Sequence, residues 1–237
     1  MTRFAAAVAF VLLSACHLVD TPPTERCTAQ HVWEDYHLQH DALRPVVRDE
    51  SAYAPDLAAW NELGTPIQLE PAGAGFELRV TDGGDESSGW LGLATVRIDG
   101  DSHITEATVT MNRTLLAGYK PVVADHVLCQ ELGHLLGLDH QRGVPDSCMD
   151  DCATRPTYAE WMACLEAPAG TTPNVHDGEQ LEDIYAHAVD PGAPPPEGPG
   201  CVGVVVIHAF PAGPPPGVAA PASGGPGTGA APPRGPL

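Results

Sequence analysis

Gln130-Glu131-Leu132-Gly133-His134-Leu135-Leu136-Gly137-Leu138-Asp139-His140 is the stretch on which the reading of this chain turns. Gln130 and His134 are four apart, so on a helix their side chains stand one above the other on one face. Gly137 follows, and because glycine tolerates positive φ the helix can stop there and turn sharply. That turn brings His140 back toward the groups on the helix. Glu131 lies one residue along, beside the same face, where a carboxylate reaches a metal-bound water without binding the metal. Catalytic zinc sites take three protein ligands and keep a fourth position for water. The metal acidifies that water, and a neighbouring Glu carries its proton to the leaving amine. Gln130, His134 and His140 are thus the candidate ligands and Glu131 the candidate general base. The plainer reading is a solvated helix face followed by a surface histidine.

Working outward, Pro121 suits a first turn and opens an amphipathic helix running to about Leu136. Upstream, Leu57, Trp60 and Leu63 recur at helical spacing over Asp56 to Leu63, with Gly64 as a stop. Ile67–Leu69 and Phe76–Val80 read as strands, as do Trp90–Ile98 and Ile104–Met111, where apolar residues alternate with polar ones. Downstream, Asp177 to His187 reads as the last helix, with Asp177 and Gln180 spaced as a capping pair. Strands first and helices after predict an α+β layer architecture.

The central stretch resembles the metzincin zinc-peptidase signature H-E-x-x-H-x-x-G-x-x-H and departs from it only at Gln130. Cys129 to His134 is similar to the Cys-Gln-Glu-x-Gly-His found in a group of bacterial matrixin-like predicted peptidases. The resemblance implies a twisted mixed sheet, a long active-site helix, a methionine turn under the metal and a C-terminal helix. Ser147-Cys148-Met149-Asp150 supplies the turn, with Met149 as its adaptable apolar floor. Asn174 to His187 is similar to the C-terminal helix, and His103-Ile104-Thr105-Glu106-Ala107 to the strand leading to the substrate edge. A Gln oxygen is a poorer zinc ligand than imidazole. Three outcomes therefore stand open: Gln130 ligates through oxygen, another residue such as His126 completes the shell, or the site binds metal poorly.

The bulk properties narrow the partners. The 237 residues carry a formal charge of -20 with Lys120 as the single lysine, so no basic stripe is present to neutralise nucleic-acid phosphates. Arg3 and the apolar run Phe4–Leu13 read as a signal peptide, too short to span a bilayer. Leu13-Ser14-Ala15-Cys16 resembles the bacterial lipobox, which implies lipidation at Cys16 and an anchor in the cell envelope; an ordinary signal peptide is the alternative. Six further cysteines, Cys27, Cys129, Cys148, Cys152, Cys164 and Cys201, allow up to three disulfides in fifteen connectivities. Pairing of Cys129 with Cys148, tying the central helix to the loop after it, is the expectation. From Pro191 the composition changes, and 14 of the 25 prolines fall in the last 47 residues. The chain thus divides into residues 1–16 as signal, 17–32 as tether, 33–190 as the catalytic domain and 191–237 as a low-complexity tail. Within the tail, Cys201–Phe210 is either an added strand or sticky surface.

The function expected from these residues is an exported zinc endopeptidase acting on protein or peptide, with the substrate extended along an edge strand near Ile104–Met111. A pseudo-peptidase that binds peptide without cleaving it is the alternative. The loop carboxylates Asp82, Asp85 and Glu86, or Asp99 and Asp101, are weaker candidates for holding calcium, since loop carboxylates suit hard cations, and acidic loops are more often simply solvated.

Overall fold

The computed structural model describes residue 40 and residues 43–71, 77–99, 103–142, 146–189 and 204–213. The lipobox with Cys16, together with Cys27, Asp101 and Cys201, lies outside the described residues. Among the described residues no helix is long and apolar enough to cross a membrane.

Residues that alternate in hydropathy build the sheet. β1 (Val46–Asp49), β2 (Glu77–Asp82), β3 (Trp90–Ile98), β4 (Ile104–Met111) and β5 (Val204–Pro211) form one five-stranded sheet in the order β1-β2-β4-β3-β5. β1, β2 and β4 run parallel, while β3 is antiparallel to both β4 and β5. Leu78, Val80, Ala94, Val96, Ala107 and Val109 are buried in the core, as period-two side-chain alternation requires. Between the strands lie the helices α1 (Leu57–Asn61), α2 (Arg113–Leu116) and α3 (Pro121–Leu135), and then α4 (Tyr158–Leu165), α5 (Val175–Ile184) and α6 (Ala186–Val189). The fold is α+β with a mixed sheet.

α3 is buried almost all round from Val123 to Leu135. Such a helix belongs to the core rather than to a surface layer, so its polar members His126, Gln130, Glu131 and His134 need partners inside the protein. Lys120 and Pro121 start it, and Gly137 at φ 97° ends it. The end is a Schellman motif: Leu138 N–H donates to the Gly133 carbonyl and Gly137 N–H to that of His134, both at 3.1 Å. The next two carbonyls are capped from afar. His40 Nε2 donates to Leu135 O at 2.6 Å and the Tyr185 hydroxyl to Leu136 O at 3.0 Å. All four terminal carbonyls of the central helix are therefore satisfied.

Several sequence expectations change. β4 lies between β2 and β3, so Ile104–Met111 is no edge, and no peptide can add to it. The stretch Ile67–Leu69 forms no strand; its neighbour Glu70 makes a single parallel bridge to Val46. Asp177 does not start a helix with Gln180. Asn174 caps α5, and Asp177 at its third position completes a capping box. The helix around Trp60 is shorter than the spacing suggests, because Asp56 caps it and Gly64 takes φ 71° soon after. The fifth strand comes from beyond the compositional boundary at residue 190. It pairs along the whole outer edge of β3, with Gly92 opposite Phe210.

Candidate metal centre

His134 and His140 meet where the sequence places them. Their Nε2 atoms lie 3.2 Å apart and their rings are edge-to-face. His134 Nδ1 lies 2.8 Å from the Leu138 carbonyl oxygen. A carbonyl only accepts, so Nδ1 carries the proton and Nε2 presents its lone pair toward His140. The Schellman turn supplies that carbonyl. One glycine thus ends the helix, orients the first imidazole and delivers the second. Two lone pairs cannot face each other at this distance unaided; a proton on His140 or a cation between the rings resolves the contact. Two nitrogens bound at tetrahedral zinc stand about 3.3 Å apart, so the observed spacing fits the ion. Asp151 Oδ2 lies 3.9 Å from His140 Nδ1, and Arg142 Nε lies 3.7 Å from the same oxygen. Asp151 is therefore an electrostatic neighbour of His140 rather than a hydrogen-bonded one.

Glu131 is fully buried and packs against the sheet. A β-carbon at Gly92 would overlap both Val127 and Glu131, so β3 admits the carboxylate-bearing side chain only because residue 92 has no side chain. Met149 is also fully buried, and its sulfur rests over Gly133, in space that a β-carbon there would take.

Gln130 is buried and its amide nitrogen donates to two carbonyls, Cys148 O at 2.9 Å and Asp150 O at 3.2 Å. Both N–H bonds are thereby committed, and the Oε1 atom is the one part of this side chain left to face a metal. His126 takes no place beside the pair. Its Nε2 lies 3.8 Å from the disulfide sulfur of Cys152 and its ring stands edge-on to Phe210. Burial lowers its pKa to about 4, with the Leu165 backbone opposing only part of that. Among the described residues no set of three His, Cys, Asp or Glu side chains converges on one point.

Residues 140–142 and 146–152 are tied down at many points. Cys129 is disulfide-bonded to Cys148, and Cys152 to Cys164. Gln141 N–H donates to Met149 O at 2.7 Å and Asp151 N–H to Gln141 O at 3.2 Å. Asp177, fully buried, accepts from Ser147 Oγ, Gln141 Nε2 and Asn174 N–H. Burial outweighs these bonds and raises its carboxyl above the usual range. From its spacing alone Asp177 reads only as a helix cap. Gln141 and Gly92 carried no motif, and Ser147 entered only as the first residue of the methionine turn, although a glycine inside an apolar strand does signal a close approach. Three of the loop carboxylates hold backbone or hydroxyl groups: Asp85 Oδ1 accepts from Ser87 and Ser88, Asp82 from Ala52 N–H, and Asp99 from His103 N–H.

A cavity of about 420 Å³ is lined by His126, Ser147, Asp150, Arg155, Glu160 and Gly170 among others, and a second of about 260 Å³ by Trp60, Asp125, Leu128 and Thr171 among others. Neither takes in Glu131, His134 or His140. Comparison with protein-family models, with curated proteins and with solved structures found no match.

Proposed function

We propose that the chain is a zinc-dependent endopeptidase of the metzincin type, exported and lipid-anchored through Cys16, acting on protein or peptide. The observation that carries the reading is the His134–His140 pair, with Nε2 atoms 3.2 Å apart and the His134 tautomer set by the Leu138 carbonyl. His134 and His140 would hold the metal through Nε2, and Gln130 through Oε1. Bound zinc supplies Lewis acidity that lowers the pKa of water and polarises a scissile carbonyl. Glu131 takes the proton of the attacking water and returns it to the leaving amine. Its burial against Gly92 excludes bulk solvent, which strengthens its interaction with a developing charge. Met149 floors the site and His140 is held by the Gln141–Met149 backbone pairing.

The second reading, a peptide-binding module without hydrolysis, is favoured by one observation. Position 130 carries a Gln whose N–H groups are committed to the loop, so a metal there has two imidazoles and at best a weak amide oxygen in place of a third imidazole. Elemental analysis of the full exported chain, alongside His134→Ala and Glu131→Gln, tests the first reading. About one zinc per native chain is expected, absent from His134→Ala. In Glu131→Gln zinc persists, while hydrolysis of a mixed peptide library falls by about 10²–10⁴-fold. A native chain that holds zinc yet cleaves none of the library supports the binding module; a native chain without zinc overturns the metal centre.

A further inference from the structure

Gln130 interrupts the metal-ligand pattern, and its contacts give a reason. Its amide donates to Cys148 O and Asp150 O, the carbonyls on either side of Met149. The same loop is paired to the residue after His140: Gln141 N–H donates to Met149 O, Asp151 N–H donates to Gln141 O, and Gln141 bridges Asp150. A continuous path therefore runs from helix α3 through Gln130 to the Met149 loop and on to His140. A neutral imidazole that gives one nitrogen to a metal has a single N–H left, whereas a primary amide carries two. The Cys129–Cys148 disulfide fixes the loop on one side of Met149 only, and Gln130 reaches both sides.

We infer that Gln130 is a positioning residue: its two N–H bonds hold the Cys148–Asp150 loop, and through it set His140 opposite His134. The consequence for metal affinity rests on the proposed zinc centre; the loop clamp does not.

Gln130→Glu and Gln130→Met separate the roles. Glutamate keeps the shape and offers a better oxygen ligand but removes both donors; methionine removes donors without adding charge. In the metal-free, disulfide-intact protein, amide hydrogen exchange at Gln141 and Asp151 should rise about 10-fold in both variants, while exchange along β3 and β4 stays native. Zinc affinity, by competition with a chelator, should fall about 10-fold in both, the glutamate variant included. Unchanged exchange at Gln141 and Asp151 overturns the clamp. Tighter zinc binding in Gln130→Glu, or unchanged binding in both variants, overturns the positioning role. A native protein that binds no zinc removes the centre but leaves the exchange measurement to decide the clamp.

Discussion

Gly92 shows how much the packing around Glu131 depends on a side chain that is not there. It interrupts an apolar run between Leu91 and Leu93, and a β-carbon in its place would overlap Val127 and Glu131 on the central helix. Val127 is β-branched and buried, with one preferred rotamer on a helix, so it cannot swing aside. Gly92→Ala is therefore expected to cost about 1–3 kcal/mol by overpacking, read as a lower thermal midpoint. Gly213→Ala, whose β-carbon meets nothing within 4 Å, serves as the control and should melt as native. Equal midpoints for the two variants would mean that helix and sheet do not touch there. The glycine was visible in the sequence; the residue it admits was not, since that depends on which helix lies across the strand. The same holds for His134. Its spacing from His140 could be read off the chain, but the carbonyl that sets its tautomer is a product of the Gly137 turn.

At the level of elements, the outer edge of β3 matters most. Its partner β5 comes from a stretch that composition assigns to a Pro-rich tail, and the pairing covers every residue of β5. Phe210 is 2% exposed and packs on His126, and the Tyr119 hydroxyl donates to Ala212 O at 2.8 Å. A chain ended at Asp190 loses this strand, uncovers the β3 edge and leaves the site of Phe210 empty. Its thermal midpoint is expected to fall by at least about 5 °C, since burial of one such aromatic contributes about 1.5–3 kcal/mol before any ladder bonds are counted. The exposed edge should also promote association at higher concentration, detectable by light scattering. A truncated chain that melts with the full one would mean β5 adds nothing to the fold. Trp90–Ile98 and Ile104–Met111 were legible as strands because a period of two is local. Their order was not, and the placing of β4 inside the sheet removed the substrate edge expected there.

For the molecule as a whole, the dependence of stability on pH follows from what the core encloses. His126 is neutral when folded, its pKa lowered from 6.5 to about 4 by burial. As pH falls, the unfolded chain takes up its proton first, so this contribution is complete above about pH 6.5 and is lost as pH falls from there toward 4. Its full size is on the order of 3 kcal/mol. Asp177 and Asp150, whose carboxyls burial pushes upward, act with the opposite sign in acid. Comparison with His126→Gln by denaturant titration isolates the histidine: the native advantage at pH 7 should shrink at pH 5, and a constant difference would remove His126 as its source. By itself the sequence determined the central helix, its Gly137 stop, the alternating strands, and the spacing that puts Gln130, Glu131 and His134 on one helix with His140 just beyond its end. These are properties of spacing, and spacing is local. Tertiary structure alone decided that Asp177 gathers Gln141 and Ser147, that Gln130 spends its amide on the Met149 loop, and that the tail supplies a strand. Each of those joins segments far apart in the chain, and which distant groups meet is settled by how the whole core packs and by where its buried donors and acceptors find partners.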